Sequence, residues 1–256
     1  MLFVVWTVVE RKVEHPLLDP RLFRLPRLRS ACLGMTTVFF GMFALFYVNA
    51  SFLQYGKGFS VLLTGLGILP LTIPMLFGVR YVGRLVPRIG LDATVALAFA
   101  LVGGGLLGLS TSSAQTPYVG YAAWLVVTGV GLTLALPTLS GAIAGSLPHA
   151  QAGVEAGLQA TTREFGSALG VAVIGTVLTA RFVAALPQDL RARHDPHTVA
   201  QALAVTTPEH SGDVVAAFVS SADFGLRVIG VAVLVLGTLV VLESLVSRRG
   251  RTHPGV

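Results

Sequence analysis

The chain has 256 residues, of which 54% are hydrophobic and only 12% are charged, and its formal net charge is +6. Soluble domains usually carry about a quarter charged residues, so this composition excludes an ordinary water-soluble domain. The basic residues lie beside long apolar runs, which favours contact with membrane lipid and argues against a nucleic-acid-binding protein.

The first thirty residues are predicted to lie outside the main membrane domain. Leu2–Val9 is apolar but too short to span a bilayer, and the basic residues Arg11 and Lys12 follow it. A signal peptide has its charge before the apolar stretch, so this segment is not typical of one. We expect residues 1–30 to hold the end of a truncated helix and a basic cytoplasmic linker, in a chain that is a fragment or an internally started product.

Six apolar runs follow, and each is long enough to cross a bilayer. About 20 helical residues, at a rise of about 1.5 Å each, span a hydrocarbon core of about 30 Å. The predicted fold is therefore all-α, a polytopic membrane helix bundle with about six transmembrane helices within residues 31–246. The runs are Ala31–Leu53, Val61–Val79, Leu91–Leu109, Val119–Ala144, Leu158–Val183 and Phe224–Leu245.

Proline and glycine mark local features of these spans. Pro70 and Pro74 in the second span remove backbone donors, so we expect a kink there and neighbouring groups that satisfy the freed carbonyls. The third, fourth and fifth spans are rich in glycine, and small residues four apart let helices approach closely. The glycines of Gly83–Gly90 are predicted to permit a tight turn between two spans, where Arg84 complements the helix dipole.

The region 187–222 is predicted to be a long extracytoplasmic loop, and residues 247–256 a cytoplasmic tail. Val214–Val219 can begin an interfacial helix that leads into the last span. Arginine and lysine are concentrated in residues 10–30, 80–88 and 248–251, which fall on one side of a six-span protein. The positive-inside rule therefore places both termini in the cytoplasm of a multi-pass plasma-membrane protein. The preference for arginine over lysine is typical of a GC-rich bacterial genome.

An aromatic face on the first span is a candidate binding surface. Phe39, Phe43 and Phe46 follow i, i+4, i+7 spacing and share one helical face, with Asn49 and Gln54 near it further along. An apolar wall with a few amides suits a cavity for bulky lipophilic molecules. A buried helix that packs against its neighbours would carry the same stripe, so both interpretations stay open.

Ionisable residues inside membrane spans are costly, which makes each of them a candidate functional residue. Arg163 and Glu164 in the fifth run point about 100° apart on a helix, so they do not pair with each other. Arg163 lies either at a cavity or gate, or at the cytoplasmic rim with its guanidinium at lipid phosphate. Asp223 and Arg227 are four residues apart at the start of the last run, which predicts an ion pair on one helix face.

No catalytic constellation is present in the sequence, because its Ser, His and carboxylate residues are scattered without a nucleophile elbow or a zinc-binding helix motif. Cys32 is the single cysteine, which excludes a disulfide framework. His194, Asp195 and His197 could ligate a metal, but Pro196 and the loop setting argue against it. We predict that the protein is not an enzyme and has no metal or cofactor.

Short motifs follow one another in a fixed order along nearly the whole chain. They are His15–Phe23; Gln54, Tyr55, Gly58, Phe59 and Ser60, followed by Thr64–Leu66 and Leu69–Pro70; Gly83–Gly90; Gly129, Gly131 and Pro137; and Gly153–Thr176. Together they resemble the C-terminal half of a fourteen-span drug:proton antiporter of the major facilitator superfamily.

The resemblance implies half of a major facilitator fold, built from two inverted three-helix repeats and rocking against a partner half around a central site. It implies a secondary transporter that exports lipophilic or cationic drug-like compounds by proton antiport. The first and fourth spans would line the cavity, through Phe43, Phe46, Asn49, Gln54 and Thr133. The cytoplasmic motif would supply Gly83, Arg84, Arg88 and Gly90, with Arg163 as a gating residue.

Two departures from the family pattern bear on function. Pro87 stands where the motif usually has Asp before its Arg, which weakens the gating role of that segment. The N-terminal half, which carries the family's proton-coupling carboxylate, has no counterpart in this sequence. The alternative is a non-transporting remnant, or a half-transporter that acts only as an assembly partner of a separate N-terminal half or of a second copy. The expected partners are otherwise the bilayer, a small substrate and the proton gradient.

Overall fold

The computed structural model describes residues 25–148, 151–187, 196–206 and 210–249, and every regular element in these ranges is helical. The helices are α1 (Pro26–Ser51, continued by a π-helical turn at Phe52–Gly56), α2 (Val61–Leu66), α3 (Leu69–Ile89), α4 (Leu91–Leu109), α5 (Tyr118–Ala144), α6 (Ala152–Ala185), α7 (Val199–Val205) and α8 (Ser211–Arg249). Six helical segments among the described residues are long and apolar enough to cross a membrane, with α2 and α3 forming one of them. The predicted all-α bundle is confirmed. The N-terminal prediction falls mostly on residues 1–24, which lie outside the described ranges.

The second span is interrupted immediately before its first proline. α2 ends at Leu66 and α3 begins at Leu69, with Pro70 in the first turn of α3. Proline disfavours the helical conformation of the residue that precedes it, and it has no N–H group to continue the series of helical hydrogen bonds. The carbonyl of Gly67 at this break accepts a hydrogen bond of 3.0 Å from the Tyr118 hydroxyl. A neighbouring helix thus satisfies the backbone group that the break leaves free.

The six spans form two triplets with matching contacts, α1, α3, α4 and α5, α6, α8. The contact of α1 with α6 corresponds to that of α5 with α3. The contact of α1 with α8 corresponds to that of α5 with α4, and α4 and α8 contact each other. Exchanging the two triplets therefore reproduces the main contacts. Because α1 and α5 begin at opposite ends of the bundle, the triplets are inverted relative to each other, which is the arrangement of inverted-repeat transporters.

Glycine allows the closest helix contacts in the bundle. A Cβ built on Gly166 of α6 would lie 2.4 Å from the backbone oxygen of Thr36, and one on Gly170 would lie 2.3 Å from that of Phe40. The equivalent contact of the other triplet is at Gly129, where a Cβ would lie 2.2 Å from the Leu71 oxygen. Since lipid gives no hydrophobic drive for helix association, close backbone approach of this kind supplies the van der Waals packing that holds the spans together.

A single residue makes the turn between α3 and α4. Gly90 has φ +87° and ψ 160°, a conformation open almost only to glycine, and it ends one helix and begins the next. Of the two glycines expected to permit this turn, Gly90 makes it and Gly83 does not, because α3 continues through Gly83, Arg84 and Arg88 to Ile89. We name this side of the bundle, which holds Pro26 and Gly90, the Gly90 end, and the opposite side, which holds Lys57, the Lys57 end.

Polar contacts join three helices at the Gly90 end. Arg29 of α1 forms an ion pair with Glu243 of α8. Asp92, in the first turn of α4, is buried and accepts a 2.6 Å hydrogen bond from the Ser244 hydroxyl of α8. A carboxylate in the first turn is also favoured by the helix dipole. The start of α1, the start of α4 and the end of α8 are therefore tied together.

At the Lys57 end, one ammonium group holds two connections together. Lys57 donates hydrogen bonds to the carbonyls of Ser113 (2.9 Å), Ala114 (3.0 Å) and Thr116. Burial lowers the pKa of this lysine, because desolvation disfavours its charged form. The three carbonyl acceptors replace the water that the ammonium loses.

The region 187–222 holds more helix than the loop that we expected. α7 lies within it, and α8 begins at Ser211, so the last helix is 39 residues long. At about 1.5 Å per residue α8 is about 58 Å long, well beyond the thickness of a hydrocarbon core. It contains Val214–Val219, the segment for which we considered an interfacial helix. Of the three residues considered as metal ligands there, His194 and Asp195 lie outside the described ranges.

Candidate functional site

An open groove between α1, α5 and α6 is the candidate binding site. It has a volume of about 290 Å³ and is lined by apolar groups of α1 and α5 and by polar groups of α5 and α6. The lining includes Phe39, Pro137, Ser140, Gln159 and Arg163. The Arg163 guanidinium carbon lies 5.7 Å from the centre of the Phe39 ring, a cation–π distance. Arg163 of the fifth span is exposed and lies at this groove.

The aromatic stripe of α1 continues from this groove. Phe39 and Phe43 have ring centres 6.2 Å apart, and Phe43 and Phe46 lie 5.9 Å apart in an edge-to-face arrangement. All three rings are partly exposed, and Tyr47 and Gln54 further along α1 are also not buried. The stripe is therefore neither a fully packed core nor an isolated set of surface rings. It forms an aromatic wall with one side open.

The polar edge of the groove is a short hydrogen-bonded series on α6. The Ser140 hydroxyl of α5 donates to the side-chain oxygen Oε1 of Gln159 at 2.7 Å, and the side-chain nitrogen Nε2 of Gln159 donates to the Glu155 carboxylate at 3.0 Å. Glu155, Gln159 and Arg163 are spaced by four residues, which places them on one face of the helix. This arrangement fixes the amide of Gln159 and leaves the Arg163 guanidinium at the aromatic wall.

Two of the five predicted cavity residues lie in packed helix interfaces, so that part of the prediction is wrong. Asn49 is 1% exposed, and its side-chain oxygen accepts a 2.7 Å hydrogen bond from the Tyr121 hydroxyl of α5. Thr133 is 4% exposed; its hydroxyl donates to the Gly129 carbonyl, and its methyl group faces Gly78 of α3. Buried polar groups need partners, and both residues find theirs within the protein.

Replacing Tyr121 with phenylalanine is expected to destabilise the bundle by about 1 kcal/mol, because the buried Asn49 oxygen loses its donor. Thermal unfolding in detergent would measure the effect as a lowered Tm. Tyr47→Phe is the matched control, since Tyr47 is 43% exposed. Equal melting temperatures for the two variants would show that the buried hydrogen bond contributes nothing.

The predicted gating residues are spread over two places. Arg84 and Arg88 are exposed near the Gly90 end of α3, and Gly90 forms the turn that follows. Gly83 is exposed within α3, where a Cβ would meet no atom within 4 Å. Arg163 lies instead in the groove lined by α1, α5 and α6. The α3 segment is therefore the exposed, basic end of a helix.

Asp223 and Arg227, the predicted ion pair, attract each other electrostatically, but no contact of 4 Å or less joins their charged atoms in the described part of the chain. Both residues line a second cavity, between α6 and α8, that Arg181 of α6 also lines. The Arg181 guanidinium carbon lies 3.8 Å from the centre of the Phe224 ring, and one oxygen of Asp223 is buried without a hydrogen-bond partner. Spacing on one helix allowed a pair, but the side chains take other positions.

Several groove residues were absent from the predicted set. Phe39 could have been predicted from the sequence, because it is the first residue of the aromatic stripe. The i, i+4, i+8 spacing of Glu155, Gln159 and Arg163 was a second signal. No sequence pattern indicated Ser140, because its role depends on Gln159 of another helix.

Comparison with known proteins supports the architecture. The family model described as Major Facilitator Superfamily matches residues 2–171. The chain is 33% identical over 196 residues to the multidrug resistance protein Stp of Mycobacterium tuberculosis, an alignment that covers 75% of this chain and 35% of that protein. It is 28% identical over 179 residues to the tetracenomycin C resistance and export protein of Streptomyces glaucescens, covering 70% and 33% of the two chains. It is 30% identical over 187 residues to the puromycin resistance protein pur8 of Streptomyces alboniger, covering 70% and 36%. The aligned part thus spans about a third of the length of each relative.

Proposed function

Because this chain belongs to the major facilitator superfamily, we propose that it is part of a secondary active transporter that exports lipophilic or cationic drug-like compounds by proton antiport. The observation that carries the proposal is the open groove between α1, α5 and α6, with its aromatic wall and its narrow polar edge. Such a surface suits flat apolar molecules that need few directional contacts. The three relatives named above are proteins of drug resistance or export, which supports the same class of cargo.

Within this proposal the aromatic wall holds the cargo and Arg163 acts at the gate. Phe43 and Phe46 contact the substrate through their exposed ring surface, and Gln54 offers an amide further along α1. Arg163 changes its contact with Phe39 as the groove opens and closes. The protein is a multi-pass membrane protein, and we place it in a bacterial plasma membrane with both termini in the cytoplasm.

Transport by alternating access requires a second body against which this bundle can rock. The spans α2–α3 and α6 are the least buried, with 17% and 22% of their most apolar windows buried. These exposed surfaces leave room for a partner half. The aligned part covers only about a third of each relative, so the chains of the relatives are long enough to contain such a half. This observation favours a second candidate function, in which the chain is an assembly partner for a separate N-terminal half or a second copy.

Ethidium efflux from vesicles that hold only this chain would separate the two functions. If the chain transports by itself, an imposed proton gradient should drive efflux above that of empty vesicles. Replacing Phe43 with alanine should then slow efflux about fivefold, because an aromatic contact is worth about 0.5–1.5 kcal/mol. Leu239→Ala is the matched control, since Leu239 is an exposed apolar residue of α8, away from the groove.

Efflux no faster than from empty vesicles would exclude transport by this chain alone. Efflux that appears only when an N-terminal half is added to the same vesicles would favour the assembly role. Equal rates for Phe43→Ala and Leu239→Ala in a transporting preparation would remove the aromatic wall from the mechanism.

A further inference from the structure

A cavity between α6 and α8, away from the groove, brings together two cationic side chains, a carboxylate and an aromatic ring. It has a volume of about 440 Å³ and is lined by Arg181 of α6 and by Ser220, Asp223, Phe224 and Arg227 of α8. The proposed efflux function uses none of these residues. Their charges sum to one net positive charge, with both signs present, so a ligand that carries both signs would match them.

The cavity lies where the protein meets the edge of the hydrocarbon core. The apolar run Phe224–Leu245 of α8 is about 32 Å long at about 1.5 Å per residue, close to the core thickness. Glu243, near one end of this run, is paired with Arg29. Asp223 directly precedes the other end, at the depth where phospholipid headgroups lie.

The two arginines can bind an anion without further rearrangement. The Arg181 guanidinium is stacked on the Phe224 ring at 3.8 Å, which uses its flat face and leaves its N–H edge available. Arg227 is exposed, and neither guanidinium forms a hydrogen bond or ion pair with another described residue. Planar N–H groups of this kind suit the oxygen atoms of a phosphodiester.

The carboxylate of Asp223 has an acceptor atom that no described donor satisfies. Asp223 lies one helical turn before Arg227 and is attracted by its charge, but no contact of 4 Å or less joins them, and the Oδ1 atom of Asp223 is buried and accepts no hydrogen bond from the described chain. A carboxylate at the edge of the bilayer is costly unless a cation or a donor satisfies it. Ser220 donates its own hydroxyl hydrogen to the Ala217 carbonyl, so its oxygen can accept a further hydrogen bond beside the carboxylate. A primary ammonium has three donors and a positive charge, and it would suit both groups.

We propose that this cavity binds the headgroup of a phospholipid with phosphoethanolamine chemistry. The phosphodiester oxygens accept hydrogen bonds from Arg181 and Arg227, and the primary ammonium donates to Asp223 and Ser220. The acyl chains extend along the apolar side of α8, where Phe224, Val231 and Val235 are exposed. The bound lipid joins the end of α6 to α8 at a point where the two helices have no direct polar contact among the described residues.

Native mass spectrometry of the purified chain with three lipids of matched acyl chains would test the headgroup assignment. Phosphatidylethanolamine should be retained at least tenfold more than phosphatidylcholine, whose quaternary ammonium has no N–H donor. Asp223→Asn should abolish this preference and leave the retention of phosphatidylglycerol unchanged. Arg181→Gln and Arg227→Gln should each reduce the retention of both phosphatidylethanolamine and phosphatidylglycerol several-fold. Arg84→Gln, at the other end of the bundle, should change none of these values.

Two further measurements keep the result decisive. Arg227→Lys retains the charge and should retain the lipid, so a loss of binding in Arg227→Gln alone is not a folding defect. Soluble glycerophosphoethanolamine should displace the lipid only weakly, because it lacks acyl chains. Equal retention of the three lipids, or a preference that survives Asp223→Asn, would overturn the proposal. Displacement by the soluble headgroup at the same concentration as by the lipid would overturn its assignment to a membrane lipid.

Discussion

Replacing both Gly166 and Gly170 with alanine is expected to disrupt the contact between α1 and α6, with a loss of about 3 kcal/mol or more in stability. Each new methyl group would lie within 2.4 Å of a backbone oxygen of α1, that of Thr36 or that of Phe40. A flexible side chain could turn away, but a helix backbone must move as a unit, so the cost lies at or above the upper part of the range for overpacking. The groove between α1, α5 and α6 would be displaced with it.

The unfolding free energy in mixed micelles, measured by denaturant titration, would show the effect. Gly157→Ala is the matched control, because it lies on the same helix and a Cβ there meets no atom within 4 Å. Alanine stabilises an open helical site by up to about 1 kcal/mol relative to glycine, so the control should be neutral or more stable. If the double variant were as stable as Gly157→Ala, the close contact between α1 and α6 would not exist.

Replacing Gly90 with valine is expected to cost about 3 kcal/mol. The residue has φ +87° and ψ 160°, and a β-branched side chain is strongly disfavoured there. No neighbouring atom lies within 4 Å of its built Cβ, so the penalty comes from the backbone conformation and not from crowding. The strain would act at the turn that holds Asp92 in place to accept its hydrogen bond from Ser244.

Gly83→Val offers a matched comparison for this turn. Gly83 belongs to the same motif and also has open space around its Cβ, but it lies within α3. Valine has a higher helix propensity than glycine, so we expect no loss of stability at this position. Comparable melting temperatures for Gly90→Val and Gly83→Val would mean that the strained turn is not a feature of the folded protein.

Much of the fold could be predicted because a bilayer imposes simple requirements on a sequence. Runs of about 20 apolar residues mark the spans, and Pro70 marks the break between α2 and α3. The aromatic face of Phe39, Phe43 and Phe46 follows from helical spacing alone. These features depend on neighbours in the chain, and neighbours are what a sequence shows directly.

The errors concern residues whose partners lie far away in the chain. Asn49 bonds to Tyr121, 72 residues further on, and an amide buried in this way has the same local pattern as one that faces a cavity. In Gly83–Gly90 either glycine could have made the turn, and only the course of α3 decides between them. Asp223 has the right spacing to pair with Arg227, but spacing cannot show that another helix places Arg181 beside the same cavity.

The position of Lys57 affects the choice of sites for labels and tags. The carbonyls of Ser113, Ala114 and Thr116 lie around its ammonium, much as the oxygens of a crown ether lie around a cation. A reporter inserted between α4 and α5 would disrupt these hydrogen bonds, although the segment looks like an ordinary surface connection. Modification of this amine would remove the same hydrogen bonds, so probes of transport motion are better attached elsewhere.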